Sequence, residues 1–442
     1  MQPAYRYLLS ALTLGACNPR PAVTAPAVIA PAVTAPAVAP ESPVTAPPVA
    51  PESPVNDQRA AAQGLNRLGV DLFAQVRTQP GNLALAPGSI ALALGMTEAG
   101  ARGETLTEMR RVLHSELPVE RQAAALGALS ARWNGPLGAG VTARTANRLF
   151  GHERYTFEAP YLALTASHFS APLERLDFSQ SEVARVRING WVAEQTMDKI
   201  RDLLPPASLS ADTRLVLANA MYLRAPWATP FPASSTHDAP FYVDGSTAAT
   251  VPTMTRSGAA PYAHVQGVSV VELPYAGGEL AMTLFVPDAR DGLAALEATL
   301  TSERLAGALA ALAPSQVALH LPRFRVATET LSLRAALVAL GMNQAFRPAS
   351  ADFAGIANPP SRADRLYISD VFHKVFVDVS ESGTEASAAT AVAMGRRGAL
   401  AQRLPETELM VDRPFVFAIR DTRTGAVLFL GRVLDPRAAP GS

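Results

Sequence analysis

"ESGTEASAATAVAMGRRGALAQ", residues 381–402, decides how the rest of the chain is read. From Ala386 to Gly395 it carries no charge and almost nothing large, and then Arg396 and Arg397 stand side by side. Strand-like "KVFVDVSE" precedes it and "ELMVDRPFVFAI" follows. A connection of roughly twenty residues or more inside a compact domain is usually functional or disordered. As a strand, the segment would place Thr384, Ala386, Ala388, Thr390, Val392 and Met394 on one face. Glu385, Ser387, Ala389, Ala391 and Ala393 fall on the other. The first face is wholly buriable, and the one charge lies on the second. A segment that waits outside a sheet and later slides between its strands needs this pattern, because a bulky or charged inward side chain would block it. The local competitor is a helix: Ser382-Gly383-Thr384-Glu385 also matches a capping box, and alanine is the best helix former.

Around this segment lies ample core material. The chain has 442 residues, 48% of them hydrophobic and 17% charged, and its composition shifts only once, near Asn56. One large domain behind a tail is expected. Lys+Arg 38 against Asp+Glu 38 leaves no net field to attract nucleic acid or an anionic surface. Lys199 and Lys374 are the only lysines, an arginine bias that fits a GC-rich bacterial genome. The single cysteine, Cys17, excludes intramolecular disulfides, thiolate clusters and a cysteine nucleophile in the folded part.

The position of Cys17 gives it another meaning. Residues 1–17, "MQPAYRYLLSALTLGAC", carry Arg6, an apolar run from Tyr7 to Gly15, and Leu14-Gly15-Ala16-Cys17. This resembles a bacterial lipoprotein signal, in which Cys17 becomes the lipidated first residue of the mature chain. The run is too short to span a bilayer. Asn18 differs from the aspartate associated with inner-membrane retention, so an exported protein anchored by lipid at the cell envelope, in the outer membrane or at the surface, or an extracellular one, is expected. Residues 18–56 repeat Pro-Ala-Val-Thr-Ala and Pro-Glu-Ser-Pro-Val. Proline this frequent blocks helix and central strand alike, which makes the segment an extended tether.

From residue 57 the pattern is that of an α+β fold. Gln58 to Val76 spaces Leu65, Leu68, Leu72, Phe73 and Val76 along one helical face. Ser89 is placed to cap the apolar helix after Pro87, and Thr105-Leu106-Thr107-Glu108 reads as a capping box. "VARVRINGWVAEQTMDKIRDLLPP", residues 183–206, is an amphipathic helix ended by two prolines. Strands then dominate, and two hairpins are marked by Ala276-Gly277-Gly278-Glu279 and Asp421-Thr422-Arg423-Thr424-Gly425. An N-terminal helical region with large, mostly antiparallel sheets is expected.

Nothing in this pattern is an enzyme's. The seven histidines are scattered without His-Glu-x-x-His or a close pair for a metal. No Gly-x-Ser-x-Gly elbow, phosphate loop or dinucleotide fingerprint is present, and "GPLGAG" at 135–140 is a surface turn. No cofactor and no metal are expected.

At residues 381–402 the chain resembles a serpin, and the resemblance runs from about residue 58 to the C-terminus. "ESGTEASAATAV" is similar to the hinge of inhibitory members. "NLALAPGSI", "NGWVAEQTMDKIRDLLP", "LVLANAMYLRAPW", "LPRFRV", "LGMNQAF", "ADFAGI" and "DRPFVFAIRDTRTGAVLFLGRV" agree with the family in order. The resemblance implies a serpin domain over 57–437 with an exposed reactive-centre loop at about 381–405. It implies that Gly383 allows an unusual backbone angle, that Thr384 begins the inserting strand, and that Glu385, Ala386, Ser387, Ala388 and Ala389 continue the hinge. Ser89, Asn219 and His373 match the polar cluster beneath the sheet that parts to admit the loop, and are expected to hydrogen-bond across that opening. Ala86 stands where the family usually has serine, which thins that network. Trp227 matches the tryptophan where insertion begins, and Glu381 with Arg323 matches a hinge ion pair. Counting from Gly383 puts the attacked bond between Arg397 and Gly398, with Arg396 as the alternative. The implied function is suicide inhibition of a trypsin-like serine protease through a covalent acyl-enzyme, by a monomer that is not itself an enzyme. The alternative is a non-inhibitory serpin-fold module serving binding or structure at the cell surface.

Overall fold

The computed structural model describes residues 54–348, 350–361, 364–385 and 406–437, and the backbone of 12–15. Cys17, most of the tether, Ala386, Ser387, Ala388, Ala389, Arg396, Arg397 and Gly398 lie outside the described residues.

The first helix, Pro54–Val76, buries Leu65, Leu68, Leu72, Phe73 and Val76 on the face that their spacing predicts. It starts inside the stretch assigned to the tether, because a proline is well accommodated in a helix's first turn, where its missing N–H costs nothing. Helix Pro87–Gly100 is buried at every residue but Ala93. It lies between strand Val427–Val433 of one sheet and strand Thr213–Pro226 of the other, which is why its apolar residues show no single face.

Three local expectations give way to tertiary contacts. Ser89 does not cap its helix, since Pro87 opens it and Ala86 takes the cap position; the Ser89 hydroxyl turns to Asn219 instead. Helix Gly103–Val112 begins before Thr105, with no side-chain cap. Thr105 accepts the Asp352 N–H at 2.9 Å, and Glu108 accepts the N–H groups of Asn343 and Gln344, each at 2.6 Å. Helix Ser181–Gln195 stops well short of the prolines, and the left-handed Met197 and Asp198 (φ 50° and 61°) turn the chain away. The following segment is tied back by Asn189, which donates to the Leu204 carbonyl and accepts its N–H, both at 2.7 Å.

Two sheets make the body. The nine-stranded sheet runs Glu406–Met410, Ala313–Pro322, Ala248–Val265, Val268–Pro274, Leu280–Pro287, Phe415–Asp421, Val427–Val433, Leu83–Leu85, with Thr236–Tyr242 beside Ala248–Val265. Both expected hairpins are in it, and strands Leu280–Pro287 and Val427–Val433 are buried at every residue. In the eight-stranded sheet, Thr142–His152 pairs antiparallel with Thr213–Pro226, and helix Ser181–Gln195 packs Ile188, Trp191 and Val192 with Phe150, Val216, Ala218 and Ala220 of those strands.

The second hairpin is pinned by a buried carboxylate. Asp421 is fully buried and accepts Arg132 Nε at 2.6 Å, the Trp133 indole N–H at 3.2 Å, and the Arg423 and Thr424 N–H groups at 2.9 and 3.2 Å. Burial pushes its pKa up, but the Arg132 bond and the turn N–H groups outweigh it and hold it below the ordinary carboxylate range. Asp421→Ala leaves these donors without their acceptor and is expected to cost about 3 kcal/mol in urea denaturation; a loss within ~0.5 kcal/mol would show that the turn does not depend on the charge.

Candidate functional site

The eight-stranded sheet is parted in its middle. Strands Thr213–Pro226 and Phe376–Ser380 are not bonded to each other, and the two-residue strand Gly383–Thr384 lies between them at one end. Thr384 is opposite Val379 on one side and Ala225 on the other; Gly383 is opposite Ser380 and Pro226. At the far end, Leu12–Gly15 runs antiparallel to Thr213–Leu217 and pairs with Tyr367–Ile368. Between these two fillers, Ala218–Arg224 have no strand partner on that side among the described residues. A strand that continued antiparallel from Thr384 and Ala225 would bring Ala386, Ala388 and Thr390, which lie outside the described residues, opposite Leu223, Met221 and Asn219. The same register would bring Val392 opposite Leu217, which is paired with Leu12.

Gly383 is required where it is. Its φ of 144° suits glycine, and a Cβ there would come within 2.2 Å of the Ala225 carbonyl oxygen. The capping-box alternative for 382–385 is thereby excluded: the residues form a bend and a strand. Around the hinge, Trp227 donates its indole N–H to the Ser380 carbonyl at 3.0 Å and its backbone N–H to the Ser382 carbonyl at 3.0 Å. Its ring stacks on Tyr275 with centroids 4.6 Å apart. Arg323 donates through Nε to Glu381 Oε1 at 2.7 Å, and the Thr236 hydroxyl donates to the same oxygen at 2.6 Å. Burial raises the Glu381 pKa, and these donors more than reverse it. With Arg323 half exposed, the pair contributes only about 0–1 kcal/mol.

The polar cluster lies lower in the gap, around a cavity of about 30 Å³ bounded by Ala86, Ser89, Asn219, His373 and their neighbours. Ser89 donates to Asn219 Oδ1, and Asn219 Nδ2 donates to Asn147 Oδ1 at 2.6 Å. Asn147 passes its own amide hydrogen to the Phe169 carbonyl at 3.0 Å. His373 bonds to neither Ser89 nor Asn219. Its Nε2 accepts the Ala86 backbone N–H at 2.9 Å, so the residue that lacks a hydroxyl contributes its main chain instead. Burial drives the His373 pKa down to about 3, and the ring is neutral at physiological pH.

The family model described as "Serpin (serine protease inhibitor)" matches residues 63–436. The chain belongs to the serpin family. It is 38% identical to the leukocyte elastase inhibitor of Bos taurus over 391 residues, covering 86% of this chain and 100% of that one. It is 34% identical to the antithrombin-III of Mus musculus over 371 residues, covering 82% and 78%. Among solved structures, human thyroxine-binding globulin in complex with thyroxine superposes with a TM-score of 0.76 at 26% identity, over 86% of this chain and 100% of that one. The fold is therefore the serpin α+β fold, and the family's activity is inhibition of serine proteases.

Four residues of this serpin's site escaped the sequence reading. Asn147 is buried in a strand, where asparagine is depleted, and that misplacement was its signal. Tyr275, hidden in the hairpin "PYAGG", gives its hydroxyl to a 2.6 Å bond with the Thr384 hydroxyl. Thr236 and Lys199 carry no pattern at all. One expectation is corrected: Glu385, placed on the open face, has a side chain only 3% exposed, because its left-handed φ of 49° breaks the alternation. Among the described residues no group of three or more His, Cys, Asp or Glu could hold a metal ion, and no helix is long and apolar enough to cross a membrane.

Two outcomes are expected for the cluster. Asn147→Ala deprives Asn219 of its acceptor and should lower the unfolding free energy by about 1–3 kcal/mol; unchanged stability in urea would place the load elsewhere. His373 binds its proton less readily folded than unfolded, so the stability it contributes is complete above its ordinary pKa of about 6.5 and declines as pH falls from there. By about pH 5 the loss should be about 2 kcal/mol, and it should vanish in His373→Gln measured over the same range.

Proposed function

We propose that this serpin inhibits trypsin-like serine proteases as a suicide substrate, cut between Arg397 and Gly398, and that the severed loop enters the gap between Thr213–Pro226 and Phe376–Ser380. The observation that supports this most is the open register along Ala218–Arg224, which continues in line from a hinge already threaded at Thr384. The small residues that follow, Ala386, Ala388 and Thr390, are those that the extended register directs into it.

The protease serine attacks the Arg397 carbonyl, the bond to Gly398 breaks with Gly398 leaving as an amine, and an acyl-enzyme remains. Insertion from Glu385 onward makes roughly a dozen new backbone hydrogen bonds. At ~0.5–1.5 kcal/mol each, with apolar burial added, these supply on the order of 10 kcal/mol. The tethered protease is dragged along, and displacing its catalytic groups by even ~1 Å costs about 100-fold in rate, so deacylation stalls. An arginine at the bait position fits a specificity pocket that ends in an aspartate and does not fit the small pocket of an elastase. The elastase named for one relative is therefore not the target expected here.

On the same reading the chain is exported and held at the envelope by lipid on Cys17, with residues 18–56 as the tether. Processing before Cys17 would remove Leu12–Gly15 and clear the register that Val392 and the residues after it need. The protease is the partner, held by a covalent bond; the membrane is met only through the anchor.

Incubation with trypsin is expected to give a covalent complex that survives denaturing electrophoresis, whereas clean cleavage with full protease activity would leave the chain a non-inhibitory serpin-fold module. Arg397→Leu should shift inhibition from trypsin towards chymotrypsin-like proteases. If trypsin inhibition is unchanged, Arg396 is the attacked residue. Thr384→Arg cannot fit against Tyr275, where Thr384 is 1% exposed, and should convert the inhibitor to a substrate; retained complex formation at normal stoichiometry would overturn the inward placement.

A further inference from the structure

The hinge of this molecule is docked before any cut. Gly383 and Thr384 are paired on both sides, and the Glu385 N–H donates to the Asp378 carbonyl at 2.8 Å. Beneath it the Thr384 hydroxyl meets the Tyr275 hydroxyl at 2.6 Å, and both residues are buried. Glu385 then turns its carboxyl inward rather than to solvent. One oxygen, Oε2, is buried with no hydrogen-bond partner, and Lys199 Nζ is 3.9 Å away, too far for a direct bond.

We propose that Tyr275 and Glu385 form a latch that retains the hinge in the sheet of the uncut inhibitor, and that charging the Glu385 carboxyl loosens it. Groups from every side face this carboxyl. Tyr222 on Thr213–Pro226 faces it with its phenol, Lys199 approaches from the segment after helix Ser181–Gln195, and Asp378 opposes it from Phe376–Ser380. Arg325 on Phe324–Ala327 acts on it more weakly, being committed to Asp378 at 2.6 Å, and Arg224 bears on Tyr222. Lys199 itself sits over the Phe376 ring at 4.9 Å. The surroundings thus offer one distant ammonium, one phenol and an opposing carboxylate. Burial outweighs the cations and moves the Glu385 pKa up to about 7. The docked carboxyl therefore holds its proton more tightly than a released one. Docking is favoured fully below the ordinary pKa of about 4.5 and weakens as pH rises through about 7. The latch is tight in mild acid and slack above neutrality.

Hydrogen exchange of the uncut full chain, without protease, tests the latch apart from the inhibitory reading on which its purpose rests. After correction for the intrinsic exchange rate, protection of the Gly383–Glu385 amides should fall between about pH 5.5 and 7.5. The drop is expected to be several-fold, up to about tenfold once solvent screening is allowed for. Glu385→Gln should keep its protection across the range, and Tyr275→Phe should lower it at every pH. If wild type and Glu385→Gln lose protection in parallel, or Tyr275→Phe leaves it unchanged, the latch is refuted. With trypsin, the ratio of wild-type to Glu385→Gln association rate constants cancels the protease's own pH dependence and should rise several-fold over the same window. A flat ratio beside normal complex formation would sink the latch and spare the inhibitor, whereas pH-dependent protection without complex formation would do the reverse.

Discussion

Among the described residues, a sheet without a continuous central strand between Thr213–Pro226 and Phe376–Ser380 governs this structure. Backbone N–H and C=O groups are obligatory hydrogen-bonding groups, and a strand buried among helices and another sheet has little access to water with which to replace a missing neighbour. Along Ala218–Arg224 one side of the ladder has no strand partner among the described residues, and the fillers at either end, Gly383–Thr384 and Leu12–Gly15, show by their pairing that the opening accepts an antiparallel strand. A chain in this condition stores free energy that any suitable strand can release. The only question is which strand reaches the gap, and when.

Everything around the gap bears on that timing. Trp227 fastens the turn of the hinge through Ser380 and Ser382, and Arg323 with Thr236 fastens Glu381 just before it. Gly383 is the one residue that can pass between Ser380 and Pro226 without striking the Ala225 carbonyl. Lower down, Ser89, Asn219 and Asn147 form a chain of neutral hydrogen bonds across Pro87–Gly100, Thr213–Pro226 and Thr142–His152. Neutral bonds suit such a place. Each is worth about 1 kcal/mol, so they can be exchanged when the strands move, whereas a buried ion pair broken there would cost several times more.

The sequence made the fold legible because two kinds of signal agreed. Periodicity separated the helical third from the strand-rich remainder, and the hairpins at Ala276–Glu279 and Asp421–Gly425 carried their own turn chemistry. The hinge drew notice for a different reason: smallness without charge is rare enough to demand a purpose, and although that run from Ala386 lies outside the described residues, Gly383 and Thr384 just before it do pair in the sheet. What was not legible depended on residues distant in sequence. Ser89 and Thr105 have the chemistry of caps, yet each spends its hydroxyl on a tertiary partner, Asn219 and the Asp352 N–H. Alternation placed Glu385 outside and its left-handed backbone put it inside; no local rule distinguishes a strand that continues from one that stops after two residues.

The two titratable groups in the gap act in opposite directions, and their order along it matters. His373 lies in the lower cluster as a neutral acceptor for Ala86, so a proton added there removes the acceptor and loosens the strands. Glu385 lies at the upper end, where a proton removes a buried charge and tightens the hinge. Acid therefore weakens the floor of the gap while strengthening its gate, and alkali releases the gate over a sound floor. The second state is the one an inhibitor needs: a free hinge with strands that part only when a severed loop arrives to fill them. Separation of His373 from Glu385 along the same opening makes the two motions independent.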